Sequence, residues 1–199
     1  MKTIDVTGKP CPIPVIEAKK ALSAPETHEI SVKVDNMIAV QNLQKMASGY
    51  GYLLSQNESG DGAFNVIIQK NKGGAEHGKP RPDCPGHEKK LVVVVGSDAL
   101  GGGEAELGKI LMKAFIYSLT ELTVPPESII FINRGAYLTA CGSNTVEDIK
   151  KLEELGTEAL TCGTCSGYYG LQDRLAVGSI IDMFGIVERM SLADNVINV

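Results

Sequence analysis

The sequence lacks a hydrophobic run long enough to cross a membrane. None of its apolar segments approaches the ~18 consecutive residues that a transmembrane helix needs. Residues 1–5 also lack the apolar stretch of a secretory signal, and Asp5 would interrupt one. Of 199 residues, 43% are hydrophobic and 22% are charged, which is the composition of an ordinary folded protein. We therefore expect a soluble, cytoplasmic protein with no membrane partner.

The sequence also has little positive charge to offer a nucleic acid. Residues 91–199 contain seven Lys and Arg against fourteen Asp and Glu, which gives a net charge of −7. Residues 1–72 have a net charge of +1 and contain no basic cluster. Because a negatively charged domain repels phosphate backbones, we expect no nucleic-acid partner.

Cysteine is scarce, and the histidines that common cysteine or zinc sites require are missing around it. No second Cys-x-x-Cys and no His-x-x-x-His accompanies Cys162 and Cys165, although a structural zinc needs four ligands. No histidine lies at the spacing of a Cys–His hydrolase. We expect no metal and no cofactor. The five cysteines are then best interpreted as thiols: Cys11, Cys84, Cys141, Cys162 and Cys165.

A nucleotide-binding motif is missing too, although one segment imitates it. Gly103 to Lys109 has the spacing of a phosphate-binding P-loop, but Ile110 stands where Ser or Thr must hold magnesium. Glu106 occupies the third glycine position of a dinucleotide fingerprint. We interpret the segment as a flexible loop that leads into a helix and can border a crevice beside Cys162.

A change in composition divides the chain. Residues 73–87 hold three prolines and four glycines and almost no apolar side chain, so they cannot join a helix or an inner strand. The pattern predicts a flexible linker over residues 73–90 between a domain at 1–72 and a domain at 91–199. Cys84 lies in this linker, and we expect no role for it.

Hydrophobic periodicity places both domains in the α/β class. The first domain is predicted as β-α-β-α-β-β, with Asp35 and Asn36 as caps of its second helix. The second alternates strands and helices, which indicates a mostly parallel sheet with helices on both faces, a three-layer αβα domain. Within it we predict a strand over 128–133 and a helix over 168–175.

The sharpest local motif is Cys11-Pro12-Ile13-Pro14 at the start of the first predicted helix. Proline suits a first helical turn because its N–H groups lack intrahelical partners. A helix N-terminus favours the nucleophilic thiolate, although the dipole contributes only ~0.3–1 kcal/mol, and Lys9 is the nearest cation in the sequence. From spacing alone, a functional thiol and an incidental buried thiol are equal alternatives.

Residues 8–22, which contain this motif, resemble the opening of TusA/SirA-type sulfur-carrier domains. In that family the cysteine of Cys-Pro-x-Pro carries sulfur as a persulfide. The resemblance covers residues 1–72, and the predicted order of elements agrees with the two-layer sandwich of the family. It implies that Cys11 carries the sulfur. Pro12 and Pro14 are the candidate substrate-binding residues.

A second thiol motif, Cys162-Gly163-Thr164-Cys165, follows a predicted strand. In parallel sheets the functional loops lie past the carboxyl ends of the strands. A dithiol pair at such a turn is competent for redox chemistry. The alternative is that two small residues pack a tight turn.

The second domain resembles DsrE-like sulfur-relay domains through residues 107–115 and 160–165, and the match spans residues 90–199. The two halves together resemble YedF-type, sulfurtransferase-like proteins that are linked to selenium metabolism. The resemblance implies that Cys162 matches the DsrE cysteine and that Cys165 is its partner.

These observations predict a sulfur or selenium carrier and transferase. Cys11 receives the sulfur as a persulfide, and Cys162 with Cys165 passes it on or releases it, since a thiolate attacks the outer sulfur without a cofactor. The alternatives are a dithiol redox enzyme that uses the second pair and a non-enzymatic adaptor that binds a regulatory partner. The expected partners are a cysteine desulfurase or another sulfur or selenium donor, an acceptor protein, and further copies of the chain in a homo-oligomer.

Two other residues near the predicted strand ends receive weaker interpretations. Cys141 lies in the loop after the second strand of the back domain, and we interpret it as a bystander thiol. Arg134 follows the same strand and could hold an anionic sulfur species, but we favour a solvated surface charge.

Overall fold

Strands alternate with helices in both parts of the chain, which a computed structural model describes over residues 2–10, 12–59, 62–71 and 90–199. The chain forms two units, Met1–Gly86 and His87–Val199. Apart from Lys90, the predicted linker lies outside the described residues, and so does Cys84. The domain bounds 1–72 and 91–199 therefore stay a prediction.

The first unit is a four-stranded sheet with two helices packed on it. Its described elements, in chain order, are β1 (Lys2–Asp5), α1 (Ile13–Ser23), β2 (Glu29–Val34), α2 (Met37–Gly49), β3 (Leu53–Ser59) and β4 (Ala63–Gln69). The strand order is β1-β2-β4-β3, with β1 and β2 parallel and the other pairs antiparallel. One hydrophobic core joins both helices to the sheet, so the predicted two-layer fold is confirmed.

The cap predicted for α2 is present. The Asn36 side chain accepts a hydrogen bond from the Ala39 N–H at 2.8 Å, which satisfies one of the donors that a helix start leaves unpaired. The helix ends at Gly49, and Gly51 then adopts a positive φ of 67°. These local signals mark the two ends of α2, while its buried residues pack into the core of the unit.

The second unit is a five-stranded parallel sheet covered on both faces. Its described elements, in chain order, are β5 (Leu91–Val95), α3 (Ala105–Leu119), β6 (Ser128–Phe131), α4 (Val146–Glu154), β7 (Glu158–Cys162), α5 (Gly163–Tyr168), β8 (Ser179–Ile181), α6 (Met183–Leu192) and β9 (Asn195–Asn198). The strand order is β8-β7-β6-β5-β9. Alternate valines of β5 enter two different cores, one shared with α3 and α4 and one with α6. The predicted three-layer αβα class is confirmed.

One element prediction in this unit is wrong, and another is confirmed except at the end of its strand. The helix predicted over 168–175 lies earlier, as α5, because Gly170 at φ 64° ends it; a 3-10 helix at Gln172–Arg174 follows. The strand predicted over 128–133 stops at Phe131, since Asn133 has a φ of 47° and starts a 3-10 helix, Asn133–Thr139.

That 3-10 helix sits directly on the end of β5 through a glycine. A Cβ atom added at Gly135 would lie 2.1 Å from the Val95 carbonyl oxygen, so no other residue fits without movement of the backbone. The Ile132 N–H donates to the same carbonyl oxygen at 3.0 Å. The segment that follows β6 is thereby held against the neighbouring strand.

We predict that Gly135→Ala lowers the free energy of unfolding by about 1–3 kcal/mol, because overpacking here forces the backbone apart. Gly102→Ala is the matched control, since Gly102 is exposed, has an ordinary φ and has open space around its Cβ position. The control should change stability by less than about 0.5 kcal/mol. Urea unfolding followed by circular dichroism measures both variants. Equal stability of the two would show that the close approach is dispensable.

Candidate functional site

A cleft of about 290 Å³ opens beside the first turn of α1. Lys9 and Pro10 line one side with Pro12 and Pro14, and the start of α2 lines the other. Cys11 lies outside the described residues, so its role as the carrier stays a prediction. The residues that precede and follow it in the sequence both line this cleft.

The proline motif leaves the first turn of α1 without unpaired backbone donors. The helix begins at Ile13 with Pro12 as its N-cap. Pro12 and Pro14 have no N–H, the Ile13 N–H donates to the Pro10 carbonyl at 3.0 Å, and the Val15 N–H donates to the Pro12 carbonyl at 3.1 Å. A sulfur anion here would therefore depend on the helix dipole and on Lys9 rather than on donors from residues 12–15.

A carboxylate ties the two walls of the cleft together. Asp35 accepts hydrogen bonds from the Asn36 side chain at 2.9 Å and from the Gly8 N–H at 2.7 Å. These bonds, the Asn36 bond first, hold the pKa of Asp35 below its ordinary value. Asn36 also caps α2 and lines the cleft, and Gly8 directly precedes Lys9 on the other side. The hydrogen bonds of Asp35 therefore connect the segments on both sides of the cleft.

The second predicted pair, Cys162 and Cys165, is brought together at the carboxyl end of β7. Cys162 is the last residue of the strand and is 1% exposed, inside the core. Cys165 lies on α5, is half-buried and packs against the core cluster that contains Cys162. A Cβ atom at Gly163 would lie 2.9 Å from a methyl carbon of Ile180, so the turn passes close to β8. The pair suits sulfur exchange in its geometry, but only Cys165 is open to solvent.

Sequence reasoning missed Asn133, which contacts this pair. Its backbone N–H donates to the Cys165 Sγ at 3.0 Å, and its side-chain oxygen accepts from the Tyr169 hydroxyl at 2.7 Å. Burial raises the pKa of Cys165, the Asn133 N–H opposes that rise, and the adjoining Cys162 adds to it, so the net shift is upward. An asparagine at the end of an apolar strand is the signal that could have marked the position, because Asn is enriched at positive φ.

Arg134 is exposed, which agrees with the expectation of a surface charge, and it also forms an ion pair. Its Nε and Nη2 donate to the two Asp98 carboxylate oxygens at 2.8 and 2.9 Å, and its guanidinium lies 5.9 Å from the centre of the Tyr137 ring. The hydrogen bonds from Arg134 hold the pKa of Asp98 below its ordinary value. The pair joins the segment after β5 to the segment after β6.

Cys141 lies at a separate cleft of about 470 Å³. It is exposed, and its N–H donates to the Arg174 carbonyl at 2.7 Å. Asp98 and Lys109 line this cleft, and Lys109 belongs to the segment that imitates a P-loop. The interpretation of Cys141 as a bystander stays a prediction.

The described residues contain neither a cluster of metal ligands nor a membrane-spanning helix. Within residues 2–10, 12–59, 62–71 and 90–199, no three His, Cys, Asp or Glu side chains come together as metal ligands would. Over the same ranges, no helix combines the length and the apolar character of a membrane span.

Comparison with known proteins identifies the first unit. The family model of sulfurtransferase TusA matches residues 2–70. A candidate sulfur carrier protein of Methanocaldococcus jannaschii is 38% identical over 71 residues, which are 35% of this chain and 95% of the relative. The crystal structure of a SirA-like protein from Desulfitobacterium hafniense is 49% identical and covers 35% of this chain and 96% of its own, with a TM-score of 0.33.

The first unit is therefore a small α/β domain of the sulfur-carrier class. Through it the chain belongs to the TusA family. For the remainder, the ychN protein of E. coli covers 55% of this chain and 99% of its own at 15% identity, with a TM-score of 0.45. The DsrE-like assignment of the second domain stays a prediction.

Among the three cysteines that the structure describes, we predict that iodoacetamide modifies Cys141 first, Cys165 next and Cys162 last, in the order of their exposure. Only thiolates react, and the pKa of Cys165 is raised, so at pH 7 we expect Cys141 to react about tenfold faster or more. The rate at Cys165 should keep rising with pH beyond the ordinary thiol range of about 8.5. Peptide mapping by mass spectrometry gives each rate. Cys162 reacting as fast as Cys141 would contradict its burial.

Proposed function

We propose that the protein carries sulfur as a persulfide on Cys11 and hands it on through a second thiol site at Cys162 and Cys165. The observation that carries this proposal is the match of residues 2–70 to the TusA family, which contains the Cys-Pro-x-Pro motif. The cleft beside that motif supports it, since a carrier sulfur must be reachable by a partner.

Loading is a thiol–persulfide exchange. The Cys11 thiolate attacks the outer sulfur of a donor persulfide, the donor S–S bond breaks, and the donor thiolate leaves with the electron pair. The product is a persulfide on Cys11, and no electron acceptor is required. The donor is a cysteine desulfurase or another protein that presents sulfane sulfur.

The cleft suits a protein-borne donor rather than a small polar one. Pro12 and Pro14 give it an apolar wall, and Ile38 at its rim is 68% exposed. Lys9 supplies the one cationic side chain among its described lining residues. We propose that the two prolines contact the substrate and that Lys9 stabilises the negative charge of the sulfur anion.

The second site receives sulfur by the same exchange. A thiolate of the pair attacks the outer sulfur on Cys11, and the Cys11 thiolate leaves. An acceptor thiolate can then remove the sulfur from the pair in a further exchange. By its resemblance to DsrE-like and YedF-type proteins, the site is proposed to handle selenium in the analogous selenosulfide form.

The contact between the two thiols favours a second candidate function, dithiol redox chemistry. Cys162 and Cys165 belong to one packed cluster at the end of β7, so they can form a disulfide when an oxidant accepts two electrons. Mass spectrometry separates the functions. After incubation with a cysteine desulfurase and cysteine, the carrier gains about 32 Da on Cys11, whereas the redox enzyme shows a reversible loss of about 2 Da in the pair. A protein that shows neither mass change favours the adaptor function.

We predict that Cys11→Ser abolishes the persulfide on the first domain and leaves the fold intact, because the hydroxyl cannot accept sulfane sulfur. Cys84→Ser is the matched control and should load like the unchanged protein. Loading is read as the mass of the peptide that contains residue 11, and folding as the circular dichroism spectrum. If the first domain of Cys11→Ser still carries a persulfide, the assignment of Cys11 as the sulfur carrier is wrong.

We also predict that Cys162→Ser keeps the adduct on Cys11 and slows turnover with an acceptor thiol. The expectation follows from the proposal that the pair stands downstream of Cys11. Turnover is measured as sulfide released per loaded protein. Unchanged turnover would remove Cys162 from the transfer.

A further inference from the structure

Asn133 combines an unusual backbone with a contact to a sulfur. In the described part of the chain it is the only non-glycine residue with a positive φ, at 47°. Such conformations are costly and persist where the surrounding structure holds them. At this position the conformation directs the backbone N–H at the Cys165 Sγ, 3.0 Å away.

We propose that Asn133 is a positioning residue whose backbone N–H stabilises a sulfur anion on Cys165, and that the Tyr169 hydroxyl holds Asn133 in place. The proposal rests on the sulfur-transfer function proposed above for the second site. It makes Cys165 the thiol that exchanges sulfur with partners, because Cys162 is 1% exposed and Cys165 is half-buried.

The chemistry of transfer puts charge on this sulfur in both directions. When sulfur arrives, the Cys165 thiolate attacks the outer sulfur of the donor, and the donor thiolate leaves with the electron pair. When sulfur departs, an acceptor thiolate attacks the outer sulfur on Cys165, and the Cys165 thiolate is the leaving group. A hydrogen bond to a charged acceptor is stronger than one to a neutral acceptor, so the N–H assists both steps.

The surroundings keep Asn133 in its conformation. The Tyr169 hydroxyl donates to the Asn133 side-chain oxygen at 2.7 Å, and the Tyr169 ring lies 4.8 Å from the Tyr137 ring. Two residues further along, Gly135 is pressed against the end of β5. The donor is therefore in place before any sulfur arrives, as a preorganised anion site requires.

Few titratable groups act on Cys165 from the described elements around it. Cys162 on β7 adjoins it, and its hydrogen bond and charge raise the pKa of Cys165. Tyr169, the residue after α5, is hydrogen-bonded to Asn133, and Arg134 on the 3-10 helix is paired with Asp98. If the titration midpoint of Cys165 changes when the Tyr169 hydroxyl is removed, the change therefore reports on the hydrogen bond from the Asn133 N–H.

Two conservative substitutions test the proposal in the full chain. Tyr169→Phe removes the hydroxyl that holds Asn133, while Tyr168→Phe is the control, because Tyr168 is 83% exposed and its hydroxyl has no hydrogen bond among the described residues. The rate of alkylation of Cys165 by iodoacetamide is measured from pH 6 to 11. Tyr169→Phe should lower the rate at pH 8 about three- to tenfold and move the midpoint upward by about 0.5–1 pH unit. Tyr168→Phe should change neither.

A second pair of variants isolates the backbone. Asn133→Ala disfavours the positive φ and should withdraw the N–H, whereas Asn133→Gly accepts that φ without strain. We expect the alanine variant to show the larger upward shift of the midpoint. A midpoint in Tyr169→Phe that matches the unchanged protein, or alanine and glycine variants with equal shifts, would overturn the proposal.

A separate measurement keeps the proposed function distinct. Persulfide on Cys165 is read as a mass gain of about 32 Da after incubation with a cysteine desulfurase and cysteine. A shifted midpoint without any such gain supports the role of Asn133 and contradicts the proposed function of this site. Normal loading with unshifted midpoints contradicts the role of Asn133 and leaves the proposed function standing.

Discussion

The parallel pairing of β5, β6 and β7 is the constraint on which the second unit depends. It brings the carboxyl ends of three strands to one edge of the sheet. Asp98 follows the first strand, Asn133 the second and Cys165 the third. Hydrogen bonds then join the three segments, through Arg134 to Asp98 and through Asn133 to Cys165. The surroundings of the two thiols therefore depend on that edge and not on the Cys-x-x-Cys motif alone.

In the proposed function, the two units stabilise a sulfur anion by different means. In the first turn of α1 the prolines lack N–H groups, so the helix dipole and the charge of Lys9 are the positive charges available there. At Cys165, one backbone N–H faces the sulfur directly, while burial opposes the charge. In the proposed function, the first arrangement suits a sulfur that partners collect and the second suits a sulfur that is exchanged within a partly closed site.

Much of the fold followed from local patterns. A continuous apolar run such as that of β5 is typical of a strand buried on both faces, and its valines do enter two cores. Asn36 predicted the start of α2. The predicted bounds were wrong where glycine or asparagine adopts a positive φ. Gly170 ends α5 early, and the positive φ of Asn133 prevents β6 from continuing to residue 133. A residue's tolerance for positive φ is visible in the sequence, but whether the backbone uses it depends on contacts from elsewhere.

What the sequence by itself determined is the alternation of strands and helices, the Cys-Pro-x-Pro motif, the family of the first domain and the pairing of Cys162 with Cys165 near a strand end. These features are encoded over a few neighbouring residues or by periodicity. Only the tertiary structure decided that Cys162 is buried, that Cys165 is the more open thiol and that Asn133 faces it. The physical reason is distance along the chain: Asn133 and Cys165 are 32 residues apart, and the lateral order of the parallel strands alone makes them neighbours.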